Sequence, residues 1–262
     1  MVRLPLPLVL AVVLVAACGP STPEPALVRI AHLGADLLGS TGAVDLCLKP
    51  ASAAVYNKPF VGGSGLTFPQ LSSRTSLDAG TYSARIIPGG SANCDASFGG
   101  LGDVGGISFG EGRAYTLALV GLLSGSRNTQ IALNNYIDSV TAPAATQVAL
   151  RYVQASAEAG ALDVGTISGS FFTPLVSNLA YPNTPNPAYA LYNSAITSAV
   201  FALISPSGSN NVVLQAQPNG VSIPGGSVDS LWVIGRPNQT GDGRLSFLLC
   251  ADNGLGGCQR FP

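Results

Sequence analysis

The feature that most constrains the fold of this chain is an internal repeat. The segment 27–48 reads LVRIAHLGADLLGSTGAVDLCL, and the segment 149–166 reads ALRYVQASAEAGALDVGT. Each copy has an apolar run with an arginine near its start and a loop of small residues. Each closes on an Ala-apolar-Asp-apolar motif. A repeat of this size predicts two modules of similar fold.

Three further segments recur in the same order. The pairs are 81–91 with 199–209, 114–123 with 228–237, and 131–135 with 244–251. Asp45 precedes Pro88 by 43 positions, and Asp163 precedes Pro206 by the same 43 positions. The two copies differ in length mainly in the first loop, as expected for duplicated modules.

Residue patterns predict strands throughout. The segment 81–87 alternates apolar and polar residues, which is typical of a half-buried strand. The run 114–123 is apolar on both faces, which predicts a central strand covered on both sides. No window keeps helical spacing over three turns without a Gly or Pro. We therefore predict an all-β fold of two tandem antiparallel β-sandwich modules, 27–141 and 146–262, with one larger barrel-like fold as the alternative.

Composition excludes several classes of protein. Hydrophobic residues make up 47% of the chain and charged residues 10%, which is too apolar for a disordered protein. The 32 Gly and 19 Pro have no collagen-like period and fit many short strands joined by turns. The formal net charge of −1 provides no basic patch, so we do not expect nucleic acid as a partner.

Residues 1–17 predict an export signal. A positive start is followed by an apolar stretch that is too short to span a bilayer as a mature helix. The stretch ends in Val15-Ala16-Ala17-Cys18, which resembles the lipobox of bacterial lipoproteins. In that family the cysteine is lipidated and becomes the first residue after cleavage. The alternative is an ordinary secretory signal followed by a chance cysteine.

The predicted mature chain begins with lipidated Cys18 and a Pro-rich tether over 18–26. Gly19 occupies the position at which an inner-membrane retention signal would have an aspartate, which favours the outer membrane. We therefore expect an exported protein that is lipid-anchored to the bacterial envelope. Its expected partners are the membrane, through the lipid, and envelope proteins or glycans.

The other four cysteines predict two disulfide bonds, because an exported chain enters an oxidising compartment. Cys250 and Cys258 enclose a short Gly-rich loop and are predicted to pair, which leaves Cys47 with Cys94. The four cysteines have no Cys-x-x-Cys spacing, and the chain has one histidine, so we predict no metal site and no cofactor.

His32 is the one candidate for a general base. The second copy has Gln154 at this position, and glutamine forms hydrogen bonds but does not titrate, which favours a hydrogen-bonding role for His32. The segment 100–105 matches Gly-x-Gly-x-x-Gly, but no predicted helix follows it, which argues against a dinucleotide site. We therefore predict no catalytic residues and no enzyme activity.

Asp45 and Asp163 are the candidate carboxylate pair. Two acids of this kind could act as a glycosidase pair, but their equivalent positions in separate modules would hold them too far apart. We predict instead that they are structural, with Asp45 pairing with Arg29 and Asp163 with Arg151 across the opening hairpin of each module.

Tyr181, Tyr189 and Tyr192 lie in or beside a segment rich in Pro and Asn. Exposed aromatic rings stack on sugar faces, so these tyrosines form a possible ligand loop. The alternative is that they fill the core at the edge of a module.

Several short motifs resemble one bacterial family. They are Val28-Arg29-Ile30-Ala31-His32, Ala43-Val44-Asp45-Leu46, Ala79-Gly80-Thr81-Tyr82 and the strand 115–123. The chain resembles the domain of unknown function numbered 4397, although the second copy lacks the histidine and the Ala-Gly-Thr-Tyr turn. The resemblance implies immunoglobulin-like sandwiches, often two per chain, in exported or lipid-anchored envelope proteins. It implies no reaction. We expect a non-catalytic role in structure or protein interaction, with a carbohydrate-binding surface module as the alternative.

Overall fold

The computed structural model describes residues 23–37, 42–126, 129–138, 141–185, 188–216, 220–253 and 257–261. These residues form an all-β fold, with strands β1 Ala26–Gly34, β2 Val44–Pro50, β3 Gln70–Leu71, β4 Thr75–Leu77, β5 Gly80–Pro88, β6 Val104–Phe109, β7 Ala114–Gly121, β8 Ala132–Ile137, β9 Val148–Gln154, β10 Leu162–Ser168, β11 Phe171–Leu179, β12 Tyr189–Tyr192, β13 Ile196–Ala199, β14 Phe201–Ile204, β15 Val212–Gln215, β16 Val221–Ile223, β17 Val228–Ile234, β18 Ser246–Ala251 and β19 Cys258–Phe261. Two 3-10 turns, Phe98–Gly100 and Gly241–Gly243, lie between the strands. Within these ranges no helix is long and apolar enough to cross a membrane.

Strands β1–β8, the first half, form two facing sheets. One sheet has the order β3-β1-β7-β8 with β4 also beside β1, and the other has the order β2-β5-β6. Alternate residues of β5 (Tyr82, Ala84 and Ile86) point into the core between the sheets, as the alternation of this segment predicts. They meet residues such as Ile30 and Leu117 from the facing sheet. The first half is therefore a β-sandwich.

Strands β9–β19, the second half, repeat this arrangement. One sheet has the order β12-β9-β17-β18-β19 and the other has the order β11-β10-β14-β15, with a small β13-β16 sheet beside them. A second core lies between the two larger sheets and includes Leu150, Leu231 and Phe201. Within the described residues, no strand of one half pairs with a strand of the other. The bounds 27–141 and 146–262 stay predictions.

The strand pairing supports the predicted duplication position by position. β1 pairs with β7 and β9 pairs with β17, in the same relative register. Gly121 and Gly235, which the repeat aligns, have φ angles of +96° and +84°. A Cβ atom would lie 2.5 Å from the Gln130 carbonyl oxygen at the first site and 2.0 Å from the Arg244 carbonyl oxygen at the second. Both copies therefore require glycine at this point.

The strand order adds a feature that the sequence patterns did not indicate. The β1–β7 and β9–β17 pairs are parallel, whereas the other named strand pairs are antiparallel. β1 and β2 lie in different sheets, so the expected opening hairpin is replaced by a crossover between sheets. In the immunoglobulin order the first two strands share a sheet, so the order here differs from the one that the family resemblance implied.

A third apolar core joins the two halves. It contains Ala31, Leu33 and Val120 from the first half and Trp232 and Ile234 from the second. The β1–β7 sheet and the β9–β17 sheet therefore pack face to face, which gives four stacked sheets. This explains why β7 and β17 are apolar on both faces, since one face meets the partner sheet of its own sandwich and the other meets the opposite half.

Candidate functional site

A cluster of buried charges lies where the two central sheets meet. Val28 and Ile30 point into the core of the first sandwich, so Arg29 between them points towards the second half. Arg151 is the equivalent residue of β9. Their side chains are only 7% and 1% exposed. Both predicted structural arginines therefore lie in the contact between the halves.

Arg29 contacts two residues of its own half and two of the other, and its ion pair within its own half is with Asp138 at 3.7 Å. Its Nε donates to the Thr116 hydroxyl at 2.8 Å, and Thr116 lies directly beside it on β7. Its Nη1 donates to the Ala251 carbonyl oxygen at 2.9 Å, and its Nη2 donates to the Asp252 carboxylate. Arg29 thus connects the first sandwich to the end of β18.

Arg151 makes the equivalent contacts in the opposite direction. Its Nε donates to the Ser230 hydroxyl at 2.8 Å, its Nη1 to the Ile137 carbonyl oxygen at 3.0 Å, and its Nη2 to Asp138 Oδ1 at 2.7 Å. The two halves therefore exchange contacts reciprocally, in the way that two identical subunits do across a two-fold interface. Arg74 joins them, because its Nη2 donates to Asp138 Oδ2 and to the Asp252 carbonyl oxygen at 2.9 Å each. We call Arg29, Arg74, Arg151, Asp138 and Asp252 the interface network.

Electrostatic interactions favour the charged forms of Asp138 and Arg151 in the interface network. Burial raises the pKa of the Asp138 carboxyl group, but Arg151, Arg29, the Thr116 hydroxyl and Arg74 together outweigh burial and hold this pKa below its ordinary value. Burial lowers the pKa of Arg151, but Asp252, Tyr189 and Asp138 together outweigh burial, so the net shift is upward. Asp138 and Arg151 form an ion pair with each other at 2.7 Å. This ion pair joins the first half to the second.

The two aspartates of the interface network were not predicted from the sequence, although a signal for them exists. The Thr116 hydroxyl donates to Asp138 Oδ2 at 2.5 Å, and the Ser230 hydroxyl donates to Asp252 Oδ2. The separation is 22 residues in both copies. Aligning the two halves beyond their apolar strands would have revealed this repeated spacing.

The predicted pairs Arg29–Asp45 and Arg151–Asp163 are wrong. Asp45 accepts hydrogen bonds from the backbone N–H groups of Val61 at 2.9 Å and Gly62 at 2.6 Å. The physical reason is the crossover, because β1 and β2 belong to opposite sheets and their outward-facing side chains point apart. Asp45 is structural, but it holds a loop rather than an arginine.

Asp163 has the same role in the second half. It accepts hydrogen bonds from the Asn178 and Gly208 backbone N–H groups at 2.8 Å each, and from the Ser207 hydroxyl at 2.5 Å. Burial raises the pKa of the Asp163 carboxyl group, and these hydrogen bonds outweigh burial and lower it. Both aspartates of the repeat therefore anchor loops on the outer sheets.

His32 and Gln154 form equivalent hydrogen bonds in the two halves. His32 Nε2 lies 3.0 Å from the Gly42 carbonyl oxygen, and Gly34 N–H donates to Nδ1 at 3.3 Å. Gln154 Nε2 donates to the Gly160 carbonyl oxygen at 3.1 Å, and Ser156 N–H donates to its Oε1 at 3.0 Å. Burial lowers the pKa of His32 to about 4, against a smaller upward effect of the Gly42 hydrogen bond. The arrangement fits a neutral structural histidine.

Both predicted disulfide bonds are present. Cys47 bonds to Cys94 within the first half, and Cys250 bonds to Cys258 between β18 and β19. Cys18, residues 1–17 and most of the tether lie outside the described residues. The described residues contain no group of three or more His, Cys, Asp or Glu side chains that could hold a metal ion.

The three candidate tyrosines do not form one exposed surface. The Tyr189 hydroxyl donates to Asp252 Oδ2 at 2.7 Å, and its ring lies 5.0 Å from the Arg151 guanidinium. Tyr192 packs on the core of the second sandwich, and its hydroxyl lies 2.6 Å from that of Tyr152. Tyr181 packs against the core between the halves. The geometry agrees with the alternative of core filling at an edge.

Comparison with protein families finds one match. Residues 26–165 match the family described as Domain of unknown function (DUF4397). The match covers more than half of the chain and runs from β1 into β10, past the first half and through the opening strand of the second. No curated protein matches the chain. On this evidence the chain belongs to the DUF4397 family, a domain of unknown function.

Proposed function

We propose that this chain is a non-catalytic protein of the bacterial cell envelope with a structural or protein-interaction role. In this proposal the chain is exported, and a lipid on Cys18 anchors it to the outer membrane. The Pro-rich tether then holds the four-sheet body away from the membrane surface.

The interface network is the observation that carries the non-catalytic role. Its arginines and aspartates hold one another and the strand ends, and Asp45 and Asp163 hold loops. General acid–base catalysis requires a titrating group with access to a substrate. His32 is fully buried and has a lowered pKa, which makes it unsuitable for that task. In this proposal these titratable side chains stabilise the fold, and partners bind to its exposed surfaces.

The disulfide bonds support export. Disulfide bonds persist in oxidising compartments such as the periplasm and are rare in the bacterial cytosol. Each half has one, Cys47–Cys94 in the first and Cys250–Cys258 in the second. This matches a protein that has to keep its shape outside the cytosol.

Metabolic labelling with an alkyne fatty acid tests the anchor. We expect the full chain, expressed in a Gram-negative host, to incorporate the label and to sediment with outer membranes. Cys18→Ala should lose the label, and Gly19→Asp should keep the label but move to the inner membrane. Unchanged labelling in Cys18→Ala would refute the anchor, and an unchanged location of Gly19→Asp would refute the sorting.

The carbohydrate-binding alternative has less support, because Tyr189 and Tyr192 use their hydroxyl groups within the fold. A glycan array separates the two proposals. Binding by the wild-type chain that Tyr189→Ala abolishes, without loss of thermal stability, would favour the carbohydrate-binding role.

A further inference from the structure

The two halves contribute equivalent contacts to the interface network except at one place. Arg74 donates from Nη2 to Asp138 Oδ2 at 2.9 Å, on the edge of the first half. On the edge of the second half the equivalent contact to Asp252 comes from the neutral hydroxyl of Tyr189. Burial raises the pKa of Tyr189, so this hydroxyl stays protonated at neutral pH. Within the interface network, the first half thus contributes one positive charge, that of Arg74, which has no counterpart in the second half.

The interface network is consequently unbalanced. Among the described residues it contains three guanidiniums, Arg29, Arg74 and Arg151, and two carboxylates, Asp138 and Asp252. The segments 139–140 and 254–256, next to the two aspartates in the sequence, contain no charged residue. Three arginines share two carboxylates in a largely buried position, and the one positive charge in excess makes a further anion favourable here.

Asp229 is a further acid near this cluster, because it interacts electrostatically with Asp252. Burial raises the pKa of the Asp229 carboxyl group, so it is charged less readily than an ordinary aspartate. It therefore compensates the extra arginine poorly.

A cleft opens beside the extra charge. It has a volume of about 700 Å³ and is lined by Arg29 and Arg74, by the segment 69–73 and by Gly257 and Cys258. None of the described residues that line it is acidic. The side chain of Arg74 is 15% exposed, so solutes can reach the guanidinium. Within the described part of the chain, Arg74 Nε has no hydrogen-bond partner and is free to donate to a ligand.

We propose that this cleft binds a carboxylate group of a ligand through Arg74 and Arg29. A carboxylate has one negative charge, which matches the single excess positive charge of the interface network, whereas a phosphate dianion would overcompensate it. Arg74 Nε–H can donate one charge-assisted hydrogen bond to a carboxylate. Nη1 already donates to the Tyr115 carbonyl oxygen at 3.3 Å, and Nη2 donates to Asp138 Oδ2 and to the Asp252 carbonyl oxygen at 2.9 Å each. The carboxylate could belong to a small organic acid or to the end of a peptide. This inference goes beyond the proposed function and does not depend on the lipid anchor.

Titration of the purified full chain in detergent tests the proposal. The probes are sodium acetate, triglycine with a free carboxyl terminus and triglycine amide, each against sodium chloride at equal ionic strength. We expect a saturable rise in melting temperature with acetate or with the triglycine acid, and none with the amide. A response to the peptide acid alone would identify a peptide terminus, and an equal response to acetate would identify a simple carboxylate site.

Arg74→Gln is the decisive variant, because it leaves two arginines and two aspartates in balance. We expect it to fold and to bind the carboxylate probe at least about tenfold more weakly, as for the loss of one charge-assisted hydrogen bond. Arg113→Gln, at an exposed arginine outside the cleft, is the matched control and should bind like the wild type. An absent response in the wild type, or an equal response in Arg74→Gln, would overturn the proposal.

Nuclear magnetic resonance of the wild type provides an independent measurement if Arg74→Gln does not fold. We expect the acetate titration to shift the Nε–H signals of Arg74 and Arg29 together with the amide signals of Ser72 and Ser73. Shifts confined to arginines outside the cleft, such as Arg85 and Arg113, would contradict the site.

Discussion

Arg29 on the first strand donates a hydrogen bond to the carboxylate of Asp252, which lies 223 positions further along the chain. Arg151 donates to Asp138 in the reciprocal contact, so each half supplies the arginine for one ion pair and the aspartate for the other. Together with the apolar core around Trp232, these contacts bind the two sandwiches into one body. We expect the two halves to unfold in a single cooperative transition.

Removing one carboxylate of the interface network should be strongly destabilising. Asp252→Ala removes the shorter ion pair of Arg29 and leaves it the contact with Asp138 at 3.7 Å. It also removes one partner of Arg151, and both guanidiniums stay buried. Breaking a buried ion pair in this way costs about 3–5 kcal/mol. Urea denaturation followed by Trp232 fluorescence measures this loss.

Glu158→Ala provides the matched control for Asp252→Ala. Glu158 pairs with Arg236, but the two side chains are 37% and 25% exposed, so the loss should be at most about 1 kcal/mol. Equal losses in the two variants would show that the interface network does not hold the halves together. Two separate unfolding transitions in the wild type would also count against this interpretation.

His32 should make stability depend on pH in the acidic range. Its pKa is lowered by burial to about 4 in the folded chain, from an ordinary value of 6.5. Between these values the unfolded chain takes up a proton that the folded chain does not. The contribution of neutral His32 to the free energy of unfolding is thus fully present above about pH 6.5. It falls by up to about 3 kcal/mol as the pH decreases towards 4.

His32→Gln isolates this effect, because the second half already uses Gln154 for the same hydrogen bonds. We expect the variant to fold and to lose the part of the pH dependence between about pH 4 and 6.5. Urea denaturation at pH 4.5 and pH 7.5 measures the difference. A wild type and a variant with the same pH dependence would refute the contribution of His32.

The sequence was sufficient to predict what depends on local pattern. Alternation along β5 and the matched segments of the two copies predicted the strands and the duplication. The spacing of Cys250 and Cys258 predicted a disulfide bond. These features depend on residues that are close in sequence or that the repeat places in the same order.

Pairing between sheets was not predictable from local pattern. Asp45 follows Arg29 closely in sequence, yet the crossover puts the two residues on opposite sheets. The actual partner of Arg29 is Asp252, in the other half of the chain. Only the three-dimensional packing of two sheets brings these residues together, and a single apolar pattern does not specify which sheet faces which.

Asp45→Ala should lower the melting temperature more than Asp103→Ala. Asp45 is buried and accepts hydrogen bonds from the Val61 and Gly62 N–H groups, which would lose their partner in the variant. The expected loss is about 2–4 kcal/mol. Asp103 pairs with Arg85 at 2.8 Å on the surface, where water replaces the lost contact. Thermal denaturation compares the two variants, and equal shifts would refute the loop-anchoring role of Asp45.

Gly235→Ala tests the most demanding feature of the repeat. The φ angle of +84° disfavours alanine, and the added Cβ would also lie 2.0 Å from the Arg244 carbonyl oxygen. Gly160→Ala is the matched control, because Gly160 has a φ angle of +67° but nothing within 4 Å of the added atom. In both variants the free energy of unfolding should fall by about 1 kcal/mol, because alanine disfavours a positive φ angle. The Gly235 variant should lose about 1–3 kcal/mol more, because the backbone around β17 has to move. Equal losses in urea denaturation would mean that the close approach of the two backbones is not a constraint on the fold.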